Sequence, residues 1–235
     1  MKSLIIGAGE VGTALFKILR EKYEVYIWDK IGNFPSKVDI LHICFPYSGD
    51  FIGDVKDYVE IYRPKYTVVH STVPVGTCRQ IQAFHSPVRG MHPELKNHLR
   101  VFPKYLAPPD KSLKRYFEGV GIPIKMVDRT ETTEFLKIWD TAQYGISIWL
   151  EKWAFQFCEE NNLDFKIAYT HANESYNEGY SKLGRKDVVR PILKHREGPI
   201  GGHCVVPNCK LLKSPFTNLI LRLNREYENK KNSKK

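Results

Sequence analysis

An α/β chain is predicted, with a doubly wound parallel sheet first and a smaller all-α domain on a long spine helix second. Three observations predict it. A strand-like run passes through a glycine-rich loop straight into a helical pattern, and strand-like and helix-like segments then alternate. From Thr130 the apolar spacing changes to a single helical stripe held for about six turns. The boundaries read as 1–128 for the sheet domain, 129–228 for the helical domain and 229–235 for a basic, disordered tail.

The first strand is Lys2–Ile6, followed by Gly7-Ala8-Gly9-Glu10-Val11-Gly12 and a helix whose apolar residues Ala14, Leu15, Ile18 and Leu19 share one face. A second strand, Glu24–Trp28, ends at Asp29 and completes a βαβ unit. Only eight residues separate Asp29 from the apolar run Val38–Phe45, too few for a crossover helix and another strand, so the sheet is pared down there. The alternation continues through a helix at Gly53–Tyr62, a strand at Thr67–His70, a helix at Thr77–Phe84 and a strand near Ser86–Arg89. Arg100–Leu106 and Pro123–Val127 read as strands around a helix at Ser112–Glu118. In the spine helix, Phe135, Ile138, Trp139, Ala142, Ile146, Trp149, Leu150, Trp153 and Phe157 form the stripe, with Glu134, Lys137 and Thr141 opposite. Helices at Phe165–Leu183 and Pro215–Tyr227 flank a Gly/Pro/Cys-rich loop at Gly198–Cys209.

Composition narrows the classes. With 42% hydrophobic and 26% charged residues, the chain of 235 residues is ordinary globular protein with room for two cores. No apolar run approaches a membrane span and no signal peptide is read, and the five scattered cysteines do not form a secreted disulfide framework. A cytoplasm-like compartment is therefore expected. The net charge of +10 raises nucleic acid as a partner, but residues 222–235 hold six Lys/Arg against two Glu. That reads as a solvated tail, and nucleic acid is not the expected partner.

The glycine loop carries chemistry because of its context. Gly7 suits a tight turn, Gly9 leaves the backbone bare for a pyrophosphate, and Gly12 lets helix pack on sheet, which makes this a Rossmann-type dinucleotide fingerprint. Free N–H groups around Glu10 and Val11 at the helix start then face the phosphates. Asp29, seventeen residues after Gly12, offers a carboxylate to the adenosine ribose and repels a 2′-phosphate, which favours NAD over NADP. FAD stays open, although no FAD-specific extension is visible. Phe45 and Pro46 after the third strand, and Ser71 and Thr72 after the fourth, complete the expected cofactor set.

Two further segments, His70-Ser71-Thr72-Val73-Pro74-Val75-Gly76-Thr77 and Gly198-Pro199-Ile200-Gly201-Gly202-His203-Cys204-Val205-Val206-Pro207, resemble segments of the UDP-glucose/GDP-mannose dehydrogenase family, within the 6-phosphogluconate-dehydrogenase-like superfamily. With the glycine loop and Glu134-x-x-Lys137, the resemblance spans about residues 1–213. It implies that Thr72 lies beside the nicotinamide, that Cys204 is the nucleophile and that Lys137 is a polar catalytic residue. The family oxidises a sugar-nucleotide primary alcohol twice, with two NAD. The chain departs from the pattern at Asn208, where the family has aspartate, at Thr141, where it has asparagine, and at Val88, where it has glutamate. The family also continues into a second Rossmann-like domain, so a truncated relative is expected, and two-electron chemistry is favoured over four-electron chemistry.

Each candidate has a plain alternative. Cys204, preceded by two glycines and His203, is either a nucleophile, an ordinary buried cysteine, or a zinc ligand with His203 and Cys209; no metal is expected. Lys137, Thr141 and Glu134 line either a cleft or a solvated helix face with a Glu134–Lys137 pair. His42 and His70 read as structural. Arg185, Lys186, Arg190, Lys194 and Arg196 either bind an anion or are solvated. Taken together, the sequence predicts an NAD-dependent dehydrogenase of an anionic or sugar-like alcohol, with Lys137 as proton acceptor and a homodimer through the spine helix. A non-catalytic NAD-binding sensor or scaffold is the alternative.

Overall fold

The computed structural model describes residues 1–28, 35–91, 93–201 and 204–232. Asp29, Gly202 and His203 lie outside the described residues. The chain divides into two compact units, Met1–Ile138 and Trp139–Lys235.

The first unit is built on five parallel strands, β1 (Lys2–Ile6), β2 (Glu24–Trp28), β3 (Ile40–Ile43), β4 (Tyr66–Val69) and β5 (Phe84–His85), in the order β2-β1-β3-β4-β5. Register is set by pairs such as Ile6↔Trp28, Ile6↔Ile43 and Ile43↔Val69, so the carboxyl ends of the strands form one edge. Side chains alternate across the pleat. Leu4 and Ile6 enter one core with Leu41, Ile43, Phe51 and Val55, whereas Ile5 enters the other with Leu15, Ile18, Leu99 and Phe117. A parallel sheet must be covered on both sides, and here it is. Helix α1 (Glu10–Leu19) packs on one face, and α2 (Phe51–Tyr62) and the short α3 (Thr77–Gln80) pack on the other. After β2 strands are added on the other side of β1, so right-handed crossovers put the helices on opposite faces and leave a switch point between β1 and β3.

Three expectations shift here. The helix expected over Thr77–Phe84 stops at Gln80, because Gln82 takes a left-handed φ of 52°, and the strand expected near Ser86–Arg89 is instead Phe84–His85. The first two residues of the strand expected over Arg100–Leu106 instead end helix α4 (Leu95–Val101), whose Leu95 and Leu99, one turn apart, are buried. Only β6 (Lys104–Leu106) is strand, beginning after Phe102, which precedes Pro103 and is extended as a residue before proline should be. β6 pairs in parallel with β7 (Ile124–Met126) across helix α5 (Lys111–Glu118).

Helix α6 (Thr130–Glu160) is the spine and runs from the first unit into the second. In the second unit a π-helical turn, Lys166–His171, continues into α7 (Ala172–Lys182), and α8 (Val205–Lys210) and α9 (Pro215–Asn232) follow. The loop expected over Gly198–Cys209 is therefore helical in its second half, and α9 continues through residues 229–232, where a disordered tail was expected. Pro207 is tolerated in α8 because it lies in the first turn, where its missing N–H would have had no helical partner. Ala142, Ile200, Val205, Cys209 and Ile220 form the core of this unit.

The spine helix is turned differently from the simplest amphipathic picture. Trp139, Leu150, Trp153 and Phe157 of the apolar stripe are exposed, while Thr141, Glu151 and Lys152 are buried. At its first-unit end Phe135 is likewise exposed and Glu134 buried. The solvated-face reading of Glu134 and Thr141 is thereby overturned: the polar side chains point inward because what packs against them is loop backbone and polar side chain, which need hydrogen-bond partners.

Candidate functional site

The loops that leave β1, β3 and β4 meet at the switch point. Gly7 has a φ of 105°, and a Cβ built on it would lie 2.8 Å from the Phe45 amide nitrogen and 2.9 Å from the Cys44 carbonyl carbon. Only glycine permits that approach. A Cβ on Gly12 would lie 1.9 Å from the Gly7 carbonyl oxygen, so the start of α1 is pressed onto the turn. A Cβ on Gly9, in contrast, meets nothing within 4 Å. Gly9 caps α1, with Glu10 and Val11 in its first turn, so the bare backbone at the start of the helix faces open space. The Ser71 hydroxyl donates to the Phe45 carbonyl at 2.5 Å, which ties the β4 loop, with half-buried Thr72 and Pro74, to the β3 loop with Phe45 and Pro46. The predicted cofactor residues are thus gathered at one edge of one unit, Asp29 excepted as undescribed.

Glu134 holds this edge from the spine helix. Its carboxyl group accepts from the Gly76 and Cys78 N–H groups at 2.5 and 2.7 Å and so binds down the end of the Ser71–Gly76 turn. The side chain is fully buried. Lys137, one turn along α6, is partly buried and lies within electrostatic reach of His85 and Lys104.

Beneath the edge lies a basic cluster that the sequence reading missed in part. His70 Nδ1 is 2.8 Å from the Ser86 carbonyl, which can only accept, so Nδ1 carries the proton and Nε2 accepts from His42 Nδ1 at 2.9 Å. His42 Nε2 then accepts from the Tyr116 hydroxyl at 3.3 Å, and Tyr116 from Ser3 at 2.8 Å. His85 lies 2.8 Å from Thr133 Oγ1 and 3.2 Å from the Ser71 carbonyl. Lys104 donates to the Ser86 carbonyl and, at 3.1 Å, to that of Pro87. Burial pushes His42 and His85 down to about 3, His70 well below the usual imidazole range and Lys104 well below the usual amine range. Burial pushes the Cys44 thiol up to about 12. Lys104 was legible in principle, since strand alternation puts it on the face of Leu106; His85 was hidden in a stretch taken for loop between a helix and a strand.

The remaining catalytic candidates belong to the second unit. Thr141 and Asn208 are both buried, and the Asn208 amide donates to the Thr141 hydroxyl at 3.2 Å. The two positions at which the sequence departs from the resembled family are therefore bonded to each other. Cys204 is exposed at the N-terminal cap of α8, which excludes the ordinary buried cysteine, while Cys209 faces the core. Val88, the third departure, sits in the apolar core of the first unit.

No protein-family model and no curated protein matches the chain. Solved structures do. The chain superposes on a UDP-D-ManNAc dehydrogenase from Pyrococcus horikoshii with a TM-score of 0.70 at 14% identity, covering 97% of this chain and 69% of that one. The fold is shared with solved dehydrogenases. A 3-hydroxyisobutyrate dehydrogenase from Mycobacterium tuberculosis gives a TM-score of 0.70 at 12% identity, over 97% of this chain and 94% of that one. A protein in complex with NADP+ and 2-OPP gives 0.53 at 14%, over 94% and 92%. Among the described residues no helix is long and apolar enough to cross a membrane, and no group of three metal-binding side chains converges.

Proposed function

We propose that the chain is a nicotinamide-dinucleotide-dependent dehydrogenase acting on an anionic or sugar-like alcohol, with NAD as the preferred cofactor. The carrying observation is the glycine loop at the switch point: Gly7 and Gly12 are packed against backbone while Gly9 opens to empty space. That is a cradle a side chain would fill and a pyrophosphate fits. A bound nicotinamide dinucleotide supplies the ring that accepts the hydride. The chain's own residues do the rest. Gly9 and the first turn of α1 bind phosphate, Ser71 and Glu134 hold the Thr72 turn in place, and Lys137 takes the alcohol proton. Cys204, in the second unit, is the candidate reactive thiol. With Val88 in a core and Asn208 engaged by Thr141, no carboxyl group stands at those positions to support thioester hydrolysis, so alcohol–aldehyde exchange is the favoured reaction.

A panel of sugar-like and hydroxy-acid alcohols, followed at the nicotinamide absorbance, tests the reading. Turnover that falls roughly 10²–10⁴-fold in Lys137→Ala, with cofactor affinity retained, supports it. Tight NAD binding with no turnover on any alcohol supports the second reading, a non-catalytic dinucleotide-binding relative, which the Thr141–Asn208 bond favours. Equal or tighter NADP binding would sink the role given to Asp29. The exposed stripe Trp139, Leu150, Trp153 and Phe157 fits a homodimer through the spine helix, which sedimentation velocity checks.

A further inference from the structure

Residues 189–201 form a strap without helix or strand between α7 and α8. A segment of that length with no backbone ladder needs other partners for its polar groups. It finds them in side chains of the surrounding helices. Asn177 accepts from the Arg190 N–H and donates to the Arg190 carbonyl, both at 2.9 Å, and the Tyr169 hydroxyl oxygen accepts from the Leu193 N–H at 3.2 Å. Lys152 donates to the Arg196 carbonyl, and Asn224 accepts from the Ile200 N–H at 2.6 Å.

One side chain of the strap turns the other way and enters the helices. The His195 ring lies flat on Phe155, with centroids 3.5 Å apart and planes 11° apart, and meets Phe165 edge-on. Its Nδ1 is 2.8 Å from Glu151 Oε1, and the two side chains are 17% and 3% exposed. Neighbours Lys194 and Arg196 point to solvent, as an extended segment requires. A carboxylate this deep on an aromatic helix is costly unless something on the strap reaches it, so its presence commits α6 to holding the strap. Downstream, Ile200 is buried in the core of the second unit, and four residues later Cys204 caps α8, itself tied to α6 through Asn208 and Thr141.

We infer that the Glu151–His195 pair is a clasp that seats the 189–201 strap on the spine helix and, through the strap, positions Cys204. The seating stands by itself; the functional meaning rests on the reading of Cys204 as the candidate thiol. Neither residue is a catalytic residue, because neither is placed against the reacting atoms.

The strap carries two trypsin sites, at Lys194 and Arg196, since Arg190 precedes Pro191 and is resistant; its release is therefore measurable on the full chain. His195→Ala is expected to speed cleavage at Lys194 and Arg196 roughly ten- to a hundredfold, the size of one lost charge-assisted hydrogen bond when cleavage follows local opening. The iodoacetamide alkylation rate of Cys204, read by mass spectrometry, should change several-fold with it. His195→Asn keeps an N–H donor at the Nδ1 position, and it should recover most of the protection and of the Cys204 rate. Glu151→Gln, which keeps an acceptor but loses the charge, should fall between. Circular dichroism identifies a variant that has unfolded, and the two conservative variants then carry the test. Cleavage and alkylation unchanged in a folded His195→Ala chain, or no recovery in a folded His195→Asn chain, would overturn the clasp. A chain that shows every expected clasp effect but turns over no alcohol with NAD would overturn the dehydrogenase reading and leave the clasp intact.

Discussion

A methyl group on Gly12 would meet the Gly7 carbonyl oxygen at 1.9 Å, whereas one on Gly9 would meet no atom within 4 Å, and the two glycines therefore make opposite predictions. Gly12→Ala should destabilise the fold by about 1–3 kcal/mol, the usual cost of overpacking against backbone that cannot yield, and lower the melting temperature. Gly9→Val should leave the melting temperature nearly unchanged and raise the dinucleotide Kd at least tenfold by filling the approach to the loop. Thermal shift and cofactor titration on both variants separate stability from binding. Glu134 makes the third case. It accepts two backbone N–H groups in a fully buried position, and Glu134→Gln turns one acceptor into a donor facing a donor. A loss of about 1–3 kcal/mol is expected, measured by denaturant unfolding. The turn at Gly7 and the close packing at Gly12 were legible from spacing alone, because turn and packing are local demands. Glu134 was legible only as a polar residue opposite a stripe; that it caps a turn 56 and 58 residues away depends on how β4 and α6 pack.

At the scale of elements, the carboxyl ends of β3, β4 and β5 carry His42, His70 and His85, all buried, with His42 and His85 held down to about 3. An imidazole whose folded pKa lies below its unfolded value of about 6.5 binds its proton only on unfolding in between. The imidazole contribution to stability is then complete above about pH 6.5 and is lost as pH falls towards 3. Each such histidine contributes a slope of about 1.4 kcal/mol per pH unit in that window. Unfolding followed by circular dichroism from pH 7 to pH 4 should therefore show steep acid sensitivity, with uptake of two to three protons, which His42→Asn should make shallower by about one proton. A flat profile would contradict the neutral network. The spine helix shows the limit of periodicity. The apolar stripe gave the helix correctly, but which face is buried came from the partners: the Gly76 and Cys78 N–H groups lie against Glu134 in one unit, and in the other the His195 ring meets Glu151 and the Arg196 carbonyl meets Lys152.

Across the whole molecule the five cysteines report on the tertiary structure. Cys204 alone is exposed; Cys78, Cys158 and Cys209 are buried, and burial pushes Cys44 to about 12 and raises Cys78 and Cys209. Iodoacetamide on the native chain at pH 8 should add one label, at Cys204, and five labels in denaturant. More than one label on the native chain would contradict the packing of β3 or α8. Protection of Cys204 by NAD would in addition support its proposed role as the reactive thiol.

By itself, the sequence determined the parallel α/β order, the glycine cradle and the spine helix, since each rests on a period or a local steric demand that a few neighbouring residues satisfy. Its errors fell where helix and strand compete over short stretches, at Thr77–Arg89 and Arg100–Leu106, and there buried contacts of Leu95 and Leu99 and the backbone turn at Gln82 decided. Only the tertiary structure decided which polar groups are buried together: Lys104 against the Ser86 and Pro87 carbonyls, Thr141 against Asn208, and His195 against Glu151. Such pairs join residues 17 to 67 positions apart. Hydrogen-bond satisfaction inside a protein is a property of the packed chain, and no periodicity along the sequence records it.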